Sequence, residues 1–144
     1  MVIFGASGDL TKRLVVPALY NLARSKVLPE NFALIGVARS KRTTEGWRTH
    51  LHDMLETFVG NAAAEFDVDH IDEAVWKALA DRMTYIEGDL STPDVYDKLR
   101  GVLDKTGEAH GTKGNAIFYL AVADRLFETV VEQLGKAKLT DQQE

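Results

Sequence analysis

Residues 2–13 read Val-Ile-Phe-Gly-Ala-Ser-Gly-Asp-Leu-Thr-Lys-Arg, and this stretch decides the fold. The apolar run at 2–4 is typical of a parallel strand that is covered on both faces. It ends at Gly5, and from Leu10 apolar residues recur every three to four positions, which predicts a helix to about residue 25. The free N–H groups and dipole of a first helical turn attract anions, and Gly8 lets a phosphate approach the backbone. The stretch therefore predicts a strand, a phosphate-binding turn and a helix, with Asp9 in a helix-capping role.

The same alternation continues along the chain. Further strands are predicted at 32–38, 83–87 and 116–122, and further helices at about 44–59, 69–79, 93–103 and 126–134. Predicted N-caps are Thr44, Asp69 together with Asp72, and Thr92; residues 106–114 are predicted as a loop and 138–144 as a tail. This order implies right-handed crossovers and a parallel sheet with helices on both faces. The predicted fold class is α/β, a Rossmann-like doubly wound parallel sheet truncated after about four strands, with residues 1–144 forming one domain.

The composition excludes several kinds of partner and site. The net charge of −5 argues against nucleic acid as a partner, because affinity for a phosphate backbone requires a basic face. The chain contains no cysteine, which removes disulfides, thiolate metal sites and thiol nucleophiles. No apolar stretch approaches the roughly 20 residues that span a bilayer, and no secretion signal is visible. We therefore expect a cytoplasmic protein with no membrane partner.

The end of the second predicted strand indicates which dinucleotide is bound. NAD-binding folds place an Asp or Glu there, which hydrogen-bonds the ribose hydroxyls. Residues 37–42 instead read Val-Ala-Arg-Ser-Lys-Arg, with three cations and no acid. The guanidinium of Arg39 can bind a 2′-phosphate with two hydrogen bonds. The pattern predicts NADP as the cofactor, and a solvated basic turn is the alternative reading.

Other catalytic motifs and metal sites are not found in the sequence. No Tyr is followed four residues later by Lys, so the acid–base pair of short-chain dehydrogenases is missing, and so is the G-x-x-x-x-G-K-[ST] phosphate loop. His50 and His52 lie two apart on a predicted helix and so face different ways, while His70 and His110 are predicted at the surface. We therefore expect no metal site and no catalytic residue in this chain.

With these residues in hand, the chain resembles the glucose-6-phosphate dehydrogenase family, specifically its N-terminal coenzyme domain. The resemblance rests on G-x-x-G-D-L-x-x-R at 5–13 combined with G-V-A-R at 36–39, and it includes segments 17–19, 28–32 and 115–122. It covers nearly the whole chain and is weakest at about 45–82. It implies an NADP-binding domain of an enzyme of the pentose phosphate pathway, which oxidises glucose 6-phosphate to 6-phosphogluconolactone with hydride transfer to NADP.

The resemblance also implies roles for individual residues and shows two departures. The residues implied to hold the diphosphate are Gly5, Ala6, Ser7, Gly8, Asp9 and Leu10. Arg39, with Ser7 and Ser40 nearby, is implied to bind the 2′-phosphate, Asp89 and Leu90 to line the adenosine, and Ala121 and Val122 to pass near the inner part of the cofactor. Leu14 replaces a lysine that in many relatives reaches the substrate, and Asp124 replaces a common proline. These departures affect the substrate assignment more than NADP binding.

The resemblance further implies that catalysis needs residues outside this chain. The family's second domain, with the histidine that accepts the proton of the sugar hydroxyl, is absent from these 144 residues. We therefore expect the chain to bind NADP without turning over substrate, and expect the parent enzyme to be a homo-oligomer through the absent domain. The exposed outer edge of the fourth strand predicts self-association or marginal stability. The alternatives are another NADP-dependent sugar oxidoreductase, a non-catalytic NADP-sensing module, and a Rossmann-like domain without a dinucleotide ligand.

Overall fold

The computed structural model describes residues 1–60, 69–112 and 115–140. The strands are β1 (Val2–Phe4), β2 (Leu34–Ala38), β3 (Met83–Glu87) and β4 (Phe118–Leu120). The helices are α1 (Val16–Arg24), α2 (Thr44–Phe58), α3 (Glu73–Ala80), α4 (Pro93–His110) and α5 (Phe127–Lys136). A π-helical turn, Thr11–Val15, leads into α1, and a 3-10 turn, Asp124–Leu126, leads into α5.

The four strands form one parallel sheet in the order β3-β2-β1-β4. Val2 of β1 lies opposite Ile35 of β2 on one side and opposite Phe118 of β4 on the other. Because all strands are parallel, their carboxyl ends lie along one edge of the sheet, where ligands bind in open α/β folds. The α/β prediction is confirmed, and the predicted site residues share that edge.

Helices cover both faces of the sheet. On one face, α1, α2 and α3 pack with Ile3 and Leu34 into a core cluster that includes the fully buried Trp47. On the other face, α4 and α5 pack with Val2 and Phe4. Successive β1 side chains therefore enter opposite core layers, as the period of two in a strand requires.

Thr92 stands at the N-cap of α4 as predicted, although its side chain forms no capping hydrogen bond, and the caps of α2 and α3 differ from the prediction. Thr43, rather than Thr44, caps α2, and its Oγ1 accepts a hydrogen bond from the Gly46 amide at 3.0 Å. Thr44 Oγ1 instead accepts from the Tyr85 amide at 3.1 Å and so links α2 to β3. Asp72 caps α3 without a capping role for Asp69. Thr43 and Thr44 have the same intrinsic propensity for the cap position, and the tertiary contact of Thr44 with β3 decides which of them becomes the cap. A local sequence pattern does not contain that contact.

The predicted loop at 106–114 is wrong over its first half. Helix α4 continues to His110 and ends at Gly111, whose φ of +68° is the left-handed conformation that glycine adopts readily. Thr106 is buried in this last part, so packing overrides the weak helix propensity of the polar, glycine-containing segment. Residues 113–114 and the last four residues of the predicted tail, 141–144, lie outside the described residues. At 18 residues, α4 is the longest described helix, and no helix in the described ranges is long and apolar enough to cross a membrane.

The first helix is irregular directly before Pro17. The sequence predicts one helix from Leu10, whereas the structure has the wider π-helical turn at 11–15 and regular α-helix from Val16. Proline has no N–H to donate and its ring clashes with the carbonyl four residues earlier, so a displaced hydrogen-bond ladder before it relieves both problems.

Strand β4 has one neighbour, β1, among the described residues, and exposed apolar side chains lie within it and directly before it. Ile117 is 73% exposed and Tyr119 is 37% exposed. Open apolar edges pair with other chains, so self-association of this chain remains a prediction. Light scattering over a concentration series is expected to show an apparent mass that rises with concentration, whereas a concentration-independent monomer would contradict it.

Candidate functional site

Gly5 forms the turn that brings the loop across the end of the sheet. Its φ is +92°, and a Cβ at this position would lie 2.2 Å from the carbonyl oxygen of Ala121. Ala121 in turn donates its amide to Phe4 O at 2.8 Å. The ends of β1 and β4 are therefore in backbone contact, and only glycine allows this approach. A side chain here would fill the space that the loop needs to fold back over β1.

The loop holds itself in shape through the carbonyl of Gly5. This oxygen accepts the Gly8 amide at 2.9 Å and the hydroxyl of Thr11 at 3.1 Å. Thr11 is fully buried, so its hydroxyl is committed to this bond. The common dinucleotide-binding fingerprint is G-x-G-x-x-G, and Thr11 stands where its third glycine is expected. Here Thr11 closes the turn with a side-chain hydrogen bond.

Three amides of the loop are free to bind an anion. The amides of Gly5 and Ala6 both donate to Val37 O, at 2.9 and 3.2 Å. Those of Ser7, Asp9 and Leu10 have no acceptor among the described residues. These free N–H groups lie at the first turn of a helix, which is the arrangement that binds phosphate groups.

Asp9 does not take the predicted capping role. Its exposed carboxylate forms an ion pair with Arg13 Nε at 3.3 Å, one helical turn along the chain. Such an exposed pair contributes at most about 1 kcal/mol. Its effect on the site is electrostatic, because Arg13 offsets a negative charge that opposes a phosphate on the neighbouring amides.

The end of β2 is fastened to the glycine loop by side chains. Ser40 Oγ donates to Ser7 Oγ at 3.0 Å, and the Tyr85 hydroxyl donates to the Ser40 carbonyl. Arg39, directly before Ser40, has an exposed side chain. The structure therefore brings Ser7 and Ser40 together across 33 positions of the sequence, and Arg39 precedes Ser40 at the same end of β2.

The loop is also supported by Trp47 of α2, through a contact that no local sequence pattern predicts. Trp47 is fully buried, and its Nε1 donates to Ala6 O at 3.2 Å. A Cβ on Gly36 would lie 2.6 Å from the Trp47 ring and 2.7 Å from Ala6 Cβ, so glycine on β2 makes room for both. The apolar periodicity of α2 predicts a buried Trp47, but the pairing with Ala6, 41 residues away, requires the fold.

Asp89 and Leu90 follow β3; the Asp89 carboxylate is exposed and the Leu90 side chain is buried. Asp89 accepts hydrogen bonds from the hydroxyl and amide of Ser91, at 2.7 and 2.9 Å. The bond to the Ser91 hydroxyl, then that to the amide, and also the charge of Arg39 hold the pKa of Asp89 below its usual value. Leu90 is 4% exposed and packs in the core, and its carbonyl accepts the Tyr96 hydroxyl at 2.7 Å. Asp89 is thus the member of this pair that offers a side chain at the surface.

The two positions that depart from the family pattern are both exposed. Leu14 lies in the π-helical turn and is 47% exposed. Asp124 begins the 3-10 turn that follows β4. Neither side chain contributes to the hydrogen bonds that shape the glycine loop.

A second group of polar side chains lies away from the loop, between α2 and α3. His52 Nε2 is 2.9 Å from Glu73 Oε1 and 3.8 Å from Glu56 Oε1, and ligand atoms of the three residues lie within 4.8 Å of one another. His52 and Glu73 border a cleft of about 520 Å³, and no residue of the glycine loop lines it. His52 and Glu73 join the two helices with a hydrogen bond, which is sufficient to explain the cluster.

Comparison with known proteins shows which family the chain belongs to. The family described as "Glucose-6-phosphate dehydrogenase, NAD binding domain" matches residues 2–144. The chain belongs to the glucose-6-phosphate dehydrogenase family. Among its relatives, glucose-6-phosphate 1-dehydrogenase of Chlamydia muridarum is 36% identical over 139 residues, which are 96% of this chain and 26% of the relative. Glucose-6-phosphate 1-dehydrogenase 2 of Mycobacterium tuberculosis is 34% identical over the same length.

Solved structures of this family share the fold. The crystal structure of glucose-6-phosphate 1-dehydrogenase from Mycobacterium avium superposes with a TM-score of 0.79 at 29% identity, covering 97% of this chain and 27% of that one. A glucose-6-phosphate dehydrogenase in complex with its substrate glucose-6-phosphate superposes at 0.76, with 27% identity, covering 94% of this chain and 26% of that one. The chain spans about a quarter of the length of the relatives it matches. The matched part is the nicotinamide dinucleotide-binding domain of the family.

Proposed function

We propose that this chain is the NADP-binding domain of a glucose-6-phosphate 1-dehydrogenase of the pentose phosphate pathway. The whole enzyme would oxidise glucose 6-phosphate to 6-phosphogluconolactone. Support comes from the family match, from relatives that bear this name, and from a similar structure that contains glucose 6-phosphate. NADP would supply the hydride acceptor when bound, and this chain would supply its binding site.

The proposal rests on two features at the same edge of the sheet. They are the loop at residues 5–10, which has amides without acceptors, and the basic segment at residues 39–42, which follows β2. The amides of Ser7, Asp9 and Leu10 would hydrogen-bond the diphosphate, with the backbones of Gly5, Ala6 and Gly8 shaping the turn. Arg39 and Ser40 would bind the 2′-phosphate, because no acidic residue is present at 37–42 to hydrogen-bond a ribose diol. Asp89 and the buried Leu90 would border the adenosine, and Ala121 and Val122 the inner part of the cofactor.

Arg39→Ala is expected to remove the preference for NADP. Loss of a bidentate charge-assisted contact corresponds to about 2–3 kcal/mol, or a Kd for NADP raised about 30- to 150-fold. The Kd for NAD is expected to change less than about twofold, since NAD has no 2′-phosphate. Isothermal titration calorimetry at one fixed ionic strength measures both. Lys41→Ala, which removes a neighbouring exposed cation, is the control, and an equal loss of affinity for both cofactors in Arg39→Ala would contradict the assignment.

The 144-residue chain is expected to bind NADP without reducing it in the presence of glucose 6-phosphate. Hydride transfer needs a base that removes the proton of the sugar hydroxyl opposite the nicotinamide. The sequence offers no candidate for it, and in the structure His52 is engaged with Glu73 between α2 and α3. The near-ultraviolet absorbance of the reduced cofactor is the readout, with a full-length member of the family as the positive control. Reduction in proportion to the concentration of this chain would contradict the expectation.

We further propose a cytoplasmic location and a homo-oligomeric parent enzyme. The absence of cysteine supports the first, because cytosolic proteins do not rely on disulfides. For the second, we propose that the subunit contacts lie in the part of the relatives that this chain does not span. The sequence and structure suggest neither a nucleic-acid nor a membrane partner. A non-catalytic NADP-sensing role is the competing reading, and the activity of a longer chain from the same reading frame separates the two.

A further inference from the structure

Residues 39–42 join β2 to the N-cap of α2, and Ser40 attaches this segment to the rest of the protein. Ser40 Oγ donates to Ser7 Oγ at 3.0 Å, and the Ser40 carbonyl accepts the hydroxyl of Tyr85. The other side chains of the segment form no hydrogen bond or ion pair with any described residue. The position of Arg39 therefore depends on the end of β2 and on the two bonds that Ser40 makes.

The Tyr85 side chain is fixed from several sides. Tyr85 lies in the middle of β3, opposite Gly36 of β2, and its amide donates to Thr44 Oγ1 at 3.1 Å. Its side chain is 7% exposed, and its ring packs against that of Trp47 with the centroids 5.6 Å apart. Side chains in a close-packed interior keep one position. The Tyr85 hydroxyl is therefore a donor at a defined point beside the end of β2.

The Tyr85 and Trp47 rings together hold both segments of the proposed 2′-phosphate site. Trp47 Nε1 donates to the carbonyl of Ala6, directly before Ser7, at 3.2 Å. The Tyr85 hydroxyl donates to the carbonyl of Ser40 itself. Both bonds engage backbone carbonyls, so the two serine hydroxyls stay available to each other and to a ligand. One packed pair of rings thus sets how the two segments lie relative to each other.

We infer that Tyr85 is a positioning residue that sets the preference for NADP, because its hydroxyl fixes the turn at Ser40 in the conformation that binds a 2′-phosphate. This inference rests on the proposed function, in which Arg39 and Ser40 bind that phosphate. Affinity falls in proportion to the fraction of molecules whose binding segment is already in place. NAD lacks the 2′-phosphate, so its affinity does not depend on this turn. Tyr85 therefore acts, through Ser40, on the ratio of the two affinities.

Tyr85→Phe removes the hydroxyl and keeps the ring that packs against Trp47. Loss of one hydrogen bond shifts the equilibrium of the turn by up to about tenfold, so the Kd for NADP is expected to rise about 5- to 10-fold. The Kd for NAD is expected to stay within about twofold. Isothermal titration calorimetry measures both constants, and circular dichroism melting shows whether the variant is folded. A folded Tyr85→Phe with an unchanged ratio of the two constants would overturn the inference.

Tyr96→Phe is the matched control. Tyr96 is 1% exposed, and its hydroxyl also donates to a backbone carbonyl, that of Leu90, at 2.7 Å. Leu90 would border the adenosine, which NADP and NAD share, so this variant is expected to change the two Kd values by the same factor. An equal loss of NADP preference in Tyr96→Phe and Tyr85→Phe would show that removing any buried tyrosine hydroxyl has this effect, and would overturn the role of Tyr85.

A double-mutant cycle with Arg39→Ala distinguishes positioning from a general structural role. If Tyr85 acts by placing the phosphate-binding turn, its hydroxyl contributes less once Arg39 is removed. In the Arg39→Ala background, Tyr85→Phe is therefore expected to raise the Kd for NADP by less than about threefold. The same factor in both backgrounds would contradict the inference.

The wild-type chain supplies a second test that needs no variant. Backbone amide relaxation without cofactor is expected to give an order parameter of about 0.85 at Ser40, as for rigid backbone. An order parameter below about 0.6 at Ser40 would show that the Tyr85 bond does not fix the turn, and would overturn the inference.

Failure of this inference is distinguishable from failure of the proposed function. If the wild-type chain binds NADP and NAD equally, the 2′-phosphate site itself is absent and both fall. If Arg39→Ala removes the preference while Tyr85→Phe retains it, the proposed function stands and this inference falls.

Discussion

Gly5→Ala is expected to lower the free energy of unfolding of the chain by about 3–5 kcal/mol, which is a large part of the total for a marginally stable domain. Two costs combine in this estimate. Gly5 has a φ of +92°, which an L side chain adopts only with strain. The new Cβ would also lie 2.2 Å from Ala121 O and 2.8 Å from its carbonyl carbon, and both are backbone atoms that move only if β4 moves. Chemical denaturation followed by far-ultraviolet circular dichroism measures the loss.

Gly60→Ala is the matched control for backbone strain alone. Gly60 also has a positive φ, +71°, but a Cβ there meets nothing within 4 Å. Its substitution is expected to cost only about 1–2 kcal/mol. If Gly5→Ala and Gly60→Ala are equally destabilising, the close approach of β1 and β4 does not contribute to the loss of stability. If Gly5→Ala is as stable as the wild type, the turn geometry itself is wrong.

Trp47→Ala is expected to destabilise the chain by about 3–5 kcal/mol, because it removes a large side chain that is fully buried. The Ala6 carbonyl also loses the donor that Trp47 Nε1 provides at 3.2 Å. The change acts on the site as well as on stability, since Ala6 belongs to the loop whose free amides we assign to the diphosphate. Denaturation measures the first effect, and cofactor titration of the milder Trp47→Phe variant, which keeps most of the buried volume, measures the second.

Trp76→Phe is the matched control for loop support. Trp76 is 7% exposed and lies on α3 beside His52, away from the loop. Both Phe variants are expected to lose some stability, but only Trp47→Phe is expected to weaken NADP binding in the folded protein. Equal NADP affinity in the two variants would show that the bond from Trp47 to Ala6 does not hold the loop.

The parts of the fold that were predicted correctly rest on local patterns. The apolar run at 2–4 followed by glycines and a helical period identifies β1 and its turn, because a parallel strand buried on both faces has this composition. Arg39 was predicted to lie near the glycine loop, because both follow parallel strands, which end along the same edge of the sheet. The structure brings Ser7 and Ser40 to 3.0 Å, in agreement with this association.

The features that were missed depend on contacts between distant segments. Thr11 closes the Gly5 turn through its hydroxyl, although its place in the fingerprint suggests only a missing glycine. The last turn of α4 has the composition of a loop and becomes helical with Thr106 buried. The choice of Thr43 over Thr44 as a cap follows from the bond between Thr44 and Tyr85 on β3. In each case tertiary packing outweighs a local preference of less than about 1 kcal/mol per residue.

Amide chemical-shift mapping of the isotope-labelled chain with NADP and with NAD tests the central claim most directly. We expect NADP to perturb the free amides of Ser7, Asp9 and Leu10 together with the amides of Arg39 and Ser40. NAD is expected to perturb the loop alone, and only at higher concentration. Loop amides that remain unchanged at saturating NADP, or identical perturbation at Arg39 and Ser40 by both cofactors, would contradict the account.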